Sequence, residues 1–222
     1  PLLENSIKFA FESAKQNKKF LFVSTKKQHS DLVKTIAEET NNFYVNFRWL
    51  GGMLTNWNTV KKSINTLQEY EAILESDENL FTKKELGDIE KKKIRLDKTL
   101  GGIREMKNTP DVVFIIDTNK EHIAVLEAKK LGIPIIAIID TNCDPDPINY
   151  PIPANDDGVK SVQFILENFS KVIKLSSDQK DISSDQKDLS TEKGDTVIPE
   201  KVDTVTPEVI EKVIKEGESK DV

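Results

Sequence analysis

Reactive and ligating side chains are scarce in this chain. A single cysteine among 222 residues, Cys143, excludes an intramolecular disulfide and fits a reducing compartment. The two histidines, His29 and His122, lie far from each other and from Cys143, so no zinc-ligand spacing exists. No apolar run is long enough to cross a bilayer. No stretch carries the Gly-Lys-Ser/Thr element of a phosphate-cradling loop. Arginine is rare too, with three against 29 lysines, and four of the nine glycines fall in two Gly-Gly pairs.

Charge is plentiful but unevenly spread. The net −6 resides wholly in residues 176–222, which hold 7 basic and 13 acidic groups; residues 1–175 balance at 25 of each. Within that balanced part, residues 1–62 carry 10 basic against 5 acidic groups, while 63–110 sum to −1 and 111–175 to −4. A polyanion partner would sit at the positive end, and an ordinary solvated surface is the plain alternative.

The positive end holds the stretch around which the chain is organised, Phe47-Arg48-Trp49-Leu50-Gly51-Gly52-Met53-Leu54-Thr55-Asn56. A second Leu-Gly-Gly follows at 100–102. Paired glycines permit turns and close backbone approaches. Between the pairs, Trp57, Val60, Ile64, Leu67 and Leu74 recur at three- and four-residue steps, as do Leu86, Ile89, Leu96, Leu100 and Ile103. Glu71 and Lys93 interrupt the two series. The pattern predicts two antiparallel helices joined by a turn at 76–79, a coiled-coil hairpin projecting about 30 Å. Folding about that turn sets Glu71 and Lys93 opposite other residues, so each is expected to reach water alone. Arg48 beside Trp49 suits RNA, by phosphate contact and stacking; equally, Trp49 packs the base of the hairpin.

The remainder reads as alternating helices and strands. Leu2–Asn17 and His29–Glu39 are helical, flanking strands at 20–24 and 43–47. His29 is expected at the surface or as a cap. Thr25-Lys26-Lys27 follows the first strand, at the edge where ligands collect in a parallel sheet, so the two lysines either grip phosphate or are simply solvated. Continuous apolar runs at 112–116 and 135–139 predict strands buried on both faces, each ending in Asp-Thr-Asn. Those acids suggest a metal or nucleotide site, but Thr118 with Glu121 fits a capping box and 140–147 a rigid turn. Residues 148–153 carry two prolines and fit only an edge strand or extended segment. A last helix runs to about Ile173. After Leu175 come repeats, Ser-Ser-Asp-Gln-Lys-Asp at 176–181 and 183–188, in an acidic low-complexity tail expected to be largely disordered, with a short helix possible from Thr206.

Several of these motifs carry a family likeness. Phe47 to Trp57 resembles the signature of the small-subunit ribosomal protein S-two family of bacterial and organellar type. Leu-Thr-Lys-Lys-Glu (80–85, with Phe81 inserted), Leu-Gly-Gly-Ile-Arg-Glu-Met (100–106), Pro-Asp-Val-Val-Phe-Ile-Ile-Asp (110–117) and Lys-Glu-His-Ile-Ala (120–124) match it in order. Leu-Gly-Ile-Pro (131–134), Asp-Thr-Asn-Cys-Asp-Pro-Asp (140–146) and Ile-Pro-Ala-Asn-Asp-Asp (152–157) continue the series. The family usually has several dozen residues before the position of Pro1, so the chain reads as N-terminally incomplete or processed.

The expected fold is α/β: a flavodoxin-like, mainly parallel sheet with helices on both faces, formed by 1–56 and 104–175 and interrupted by the helical hairpin at 57–103. The resemblance implies a structural constituent of the small ribosomal subunit, without catalysis, cofactor, metal, membrane or small-molecule substrate. Its partners would be small-subunit rRNA and neighbouring ribosomal proteins, including the large messenger-binding protein where present. Its place would be the ribosome of a bacterial cytoplasm, mitochondrial matrix or plastid stroma. Charge, position and the signature together mark Lys26, Lys27, Arg48, Trp49, Asn56, Lys61, Lys62, Arg104 and Lys107 as RNA contacts. An interaction protein off the ribosome, or a nucleotide- or metal-dependent enzyme of the same fold, is the alternative.

Overall fold

The computed structural model describes residues 1–76 and 81–185, with side chains placed through 176 except at 77–80. The rest of the predicted tail, including the short helix expected from Thr206, lies outside the described residues.

Five parallel strands form one sheet: β1 (Phe20–Val23), β2 (Phe43–Val45), β3 (Val112–Ile116), β4 (Ile135–Ile139) and β5 (Tyr150–Pro153). Their order is β2-β1-β3-β4-β5, so the chain winds outward one way from β1 and the other way from β3. The apolar runs in β1, β3 and β4 are buried along their whole length, as strands covered on both faces must be. β5, with Pro151 and Pro153, takes the edge, where missing N–H donors cost nothing.

Helices α1 (Leu2–Lys15), α2 (Lys27–Glu39) and α6 (Val159–Asp185) cover one face, around Phe20, Phe22, Phe114 and Phe169. The other face is covered by α5 (His122–Leu131) and the 49–54 segment, with the adjoining parts of α3 (Trp57–Glu75) and α4 (Lys83–Leu100). A short turn of 3-10 helix, Gly101–Ile103, follows α4 and approaches β2 so closely that a Cβ on Gly102 would fall within 2.7 Å of the Tyr44 ring.

Several expectations fail for physical reasons. α6 continues to Asp185, past the predicted boundary at Leu175, because no glycine or proline stops it. His29 is fully buried, its Nε2 lying 2.8 Å from the Asp156 carbonyl oxygen. Thr118 and Glu121 do not form a capping box; the Glu121 carboxylate instead accepts from the Thr25 N–H (2.9 Å) and hydroxyl (2.5 Å). The Glu121 carboxylate is thus used across the sheet edge rather than along its own helix.

α3 and α4 pack on each other, with Val60, Ile64, Leu67 and Leu100 buried. Glu71 and Lys93 do pair, at 3.7 Å, and Arg104 Nη1 also reaches Glu71 at 2.9 Å. The pair's midpoint is residue 82, about one helical turn beyond the 76–79 turn assumed from sequence. The difference is one of register. α4 begins late because Thr82 and Glu85 form a capping box, each side chain bonding the other's backbone N–H.

Candidate functional site

In a doubly wound sheet, ligands collect beyond the carboxyl ends of the strands where the winding direction reverses. Here that point lies between β1 and β3. Lys26, just after β1, fills it. Its Nζ lies 2.9 Å from Asp117 at the end of β3, 2.9 Å from Asp156 and 2.7 Å from Asp157. An ammonium has three donors, and three carboxylates take them. Burial alone would push the Lys26 pKa down, but the bonds from Asp157, Asp117 and Asp156 outweigh it and hold the group above the usual lysine range. The same contact holds Asp157 below the usual carboxylate range.

Asp117 takes a left-handed backbone conformation, φ 66°, and its carboxylate also accepts the Lys120 N–H at 3.1 Å. Asn119 donates to the Asn142 carbonyl at 2.8 Å, so the two Asp-Thr-Asn turns are tied together. Asp117, Cys143 and Asp156 bring potential ligand atoms within 4.8 Å of one another. Two of those three are the residues that hold the Lys26 ammonium, which already stands there as the counter-cation.

A second centre is built around an acid that sequence reasoning passed over. Glu127 lies on α5, buried against the 49–55 segment. Its Oε1 accepts from Trp49 Nε1–H (3.2 Å) and Gly52 N–H (2.7 Å). Its Oε2 accepts from Leu54 N–H (2.9 Å), Thr55 N–H (3.0 Å) and the Thr55 hydroxyl (3.0 Å). Converging backbone N–H groups make an anion-binding nest, and here the anion belongs to the chain itself. Burial pushes the Glu127 pKa up, but the hydrogen bonds from Thr55, Gly52, Trp49 and Leu54 prevail and hold it below the usual carboxylate range. Gly52, at φ 86°, supplies the left-handed turn that aims these N–H groups. The signal in the sequence was an acid bordering the inward stripe Ala124, Val125 and Ala128 of a helix.

The predicted contact residues divide accordingly. Lys26 is consumed by its three carboxylates, and Arg104 is paired with Glu71. Trp49 is not a free stacking ring. It is 7 % exposed, packed in the core of the α5 face and bonded to Glu127. The exposed aromatic beside Arg48 is Phe47, at 58 %. Lys27, Arg48, Asn56, Lys61, Lys62 and Lys107 are exposed. The Ser24 N–H bonds to the Val45 carbonyl at 3.0 Å, so Lys27 and Arg48 follow neighbouring strands on one sheet edge. Trp57 Nε1–H donates to the Lys107 carbonyl at 3.3 Å, bringing Lys107 beside the start of α3, one turn from Lys61. Asn56 precedes α3 and accepts from the Thr59 hydroxyl at 2.9 Å.

These features define an α/β protein of flavodoxin-like class whose ligand edge is closed by its own ion cluster, with Arg48, Lys61, Lys62 and Lys107 among the cations exposed near the start of α3. The family model for ribosomal protein S2 matches residues 1–176, and the chain belongs to that family. It is 60% identical over 163 residues to the small ribosomal subunit protein uS2 of Wolbachia pipientis subsp. Culex pipiens (strain wPip), covering 73% of this chain and 60% of the relative. The protein of the same name from Mesorhizobium japonicum is 48% identical over 171 residues, covering 77% and 66%. The matched stretch thus spans about 60% of the length of the Wolbachia relative.

Proposed function

We propose that this chain is a structural constituent of the small ribosomal subunit, acting in translation by binding rather than by catalysis. Family membership and the relatives' names support that reading. So does the closed ligand edge, since Lys26 stands where a flavodoxin-like enzyme would admit a nucleotide or metal. The partners in this reading are small-subunit rRNA and neighbouring ribosomal proteins, including the large messenger-binding protein where one is present, on a bacterial ribosome.

The rRNA contact is assigned to Lys27, Arg48, Asn56, Lys61, Lys62 and Lys107, with Phe47 in place of Trp49 as the stacking ring. Lys26 drops out because its three donors are taken by carboxylates, and Arg104 because its charge is already paired with Glu71 through Nη1. The observation that carries this is the exposed Phe47-Arg48 pair on a segment whose continuation Glu127 anchors from beneath. Binding of an rRNA fragment, titrated with salt, tests it. Arg48→Ala should reduce the salt slope by about 0.7–1 unit, one phosphate contact. Phe47→Ala should cost about 1–3 kcal/mol of binding with the slope unchanged, and both variants should melt like the parent. If neither changes binding, this edge is not the RNA surface.

A further inference from the structure

We propose that Asn46 and Glu127 are positioning residues for the RNA contact: neither touches RNA, and together they hold Phe47 and Arg48 in the conformation that binds it. The inference rests on the assignment of Phe47 and Arg48 to the rRNA surface. β2 ends at Val45, so the chain has left strand pairing behind when it reaches this pair. Side-chain bonds take over on either side. Before the pair, Asn46 Nδ2–H donates to the Ser30 carbonyl of α2 at 3.0 Å. After it, Trp49 Nε1–H donates to Glu127 of α5, whose carboxylate also takes the Gly52, Leu54 and Thr55 N–H groups. The two anchors stand on helices that cover opposite faces of the sheet. Phe47 and Arg48 are therefore a short bridge between fixed points, and both are exposed while Trp49 beside them is buried.

Such a bridge changes what binding costs. An arginine and a ring on a free loop lose backbone freedom when they meet a phosphate and a base, and that loss subtracts from affinity. Held at both ends, this pair has already lost its backbone freedom on folding, so only the side chains remain to be ordered. Trp49 then serves the contact from inside: its ring is turned inward, and its N–H ties the residue next to Arg48 to α5. Asn46 does the same from the α2 side. It is only partly buried, so losing its bond should loosen the bridge without unfolding the chain. The two anchors come from Ser30, 16 residues before Asn46, and from Glu127, 78 residues after Trp49, so the pair is aimed by parts of the chain that lie on either side of it.

The test is a set of mutant cycles on the full chain with the same rRNA fragment, run at a temperature where melts show every variant folded. Asn46→Ala, Glu127→Gln and Trp49→Phe (which keeps a ring but removes its N–H) should each weaken binding about three- to tenfold. Asn46→Ala should melt near the parent, so that its loss of binding is not a loss of fold. In the Phe47→Ala/Arg48→Ala background none of the three should weaken binding further, because nothing is left to position. In the Lys107→Ala background the losses should multiply, since that cation lies beside the start of α3 and does not hang from either anchor. Equal losses in both backgrounds make the anchors generally structural and overturn the proposal, as do anchor variants that bind like the parent. If Phe47→Ala/Arg48→Ala itself binds like the parent, the rRNA assignment fails and the positioning role falls with it. If that variant binds weakly while the anchor variants do not, the assignment stands and the positioning role alone is refuted.

Discussion

Replacing Glu127 probes the joint between α5 and the signature segment most directly. Its carboxylate accepts five hydrogen bonds, and two of the donors, Leu54 N–H and Trp49 Nε1–H, are buried. Glu127→Ala strands both, at about 1–3 kcal/mol for each unsatisfied donor, while the partly exposed N–H groups of Gly52 and Thr55 recover water. The expected loss is about 3–5 kcal/mol. At about 2–4 °C per kcal/mol for a chain of this size, the melting temperature should fall by roughly 6–20 °C. Glu127→Gln keeps the three bonds at one oxygen but sets an amide NH2 against the Trp49 and Gly52 donors, for a loss of about 2–3 kcal/mol. The pH dependence has a definite sign. The folded carboxyl titrates below its usual range, so its stabilisation is complete above the unfolded value of about 4.3 and disappears as pH falls through the folded one. Melts at neutral pH and in steps below about pH 5 should therefore show the gap between parent and Gln variant closing in acid. A Gln variant melting within about 2 °C of the parent, or a gap that acid leaves unchanged, would refute the reasoning.

Two further outcomes are expected. The Gly-Gly pairs are unequal: an added Cβ at Gly51 meets nothing within 4 Å, whereas Gly52 has φ 86° and Gly102 abuts Tyr44. Thermal melts should show Gly51→Ala near neutral, Gly52→Ala losing about 1–2 kcal/mol, and Gly102→Ala losing about 1–3 kcal/mol or more; equal effects would mean the backbone here is not held as described. Lys26→Met should cost about 3–5 kcal/mol, since it leaves Asp117 and Asp156 as buried charges without their counter-cation. In the folded fraction the rRNA salt slope should equal the parent's, and a slope reduced by about one unit would return Lys26 to the RNA surface.

What the sequence disclosed was whatever is local or periodic. Uninterrupted Val-Val-Phe-Ile-Ile and Ile-Ile-Ala-Ile-Ile runs identify β3 and β4 because a strand buried on both faces has no polar position. Three-and-four spacing marks α3 and α4 on the same ground. The failures share a different cause. Lys26 meets Asp156 and Asp157 from about 130 residues away, Glu127 meets Gly52 across 75, and Glu121 meets Thr25 across 96. No local pattern reports which distant backbone will take a polar group. Trp49 went the same way: its neighbours Phe47, Arg48 and Leu50 are all exposed, so nothing nearby marks it as the one ring turned inward. The register of α3 against α4 was misjudged because a heptad pattern fixes faces, while the length of the connecting turn fixes the offset.

The two internal ion sites bear on each other. A parallel sheet of this winding offers a cleft at its carboxyl edge, and a loop of converging N–H groups offers an anion nest; both ordinarily receive ligands. In this chain the cleft is filled by the Lys26 ammonium and the nest by the Glu127 carboxylate. A foreign ion at either place must displace a charge whose own partners would then be left buried and unpaired, a penalty of several kcal/mol before any contact is made. The exposed cations, among them Lys27, Arg48, Lys61, Lys62 and Lys107, carry no such penalty. At both places the chain supplies its own counter-ion, so each site is completed by a residue distant in sequence rather than left open.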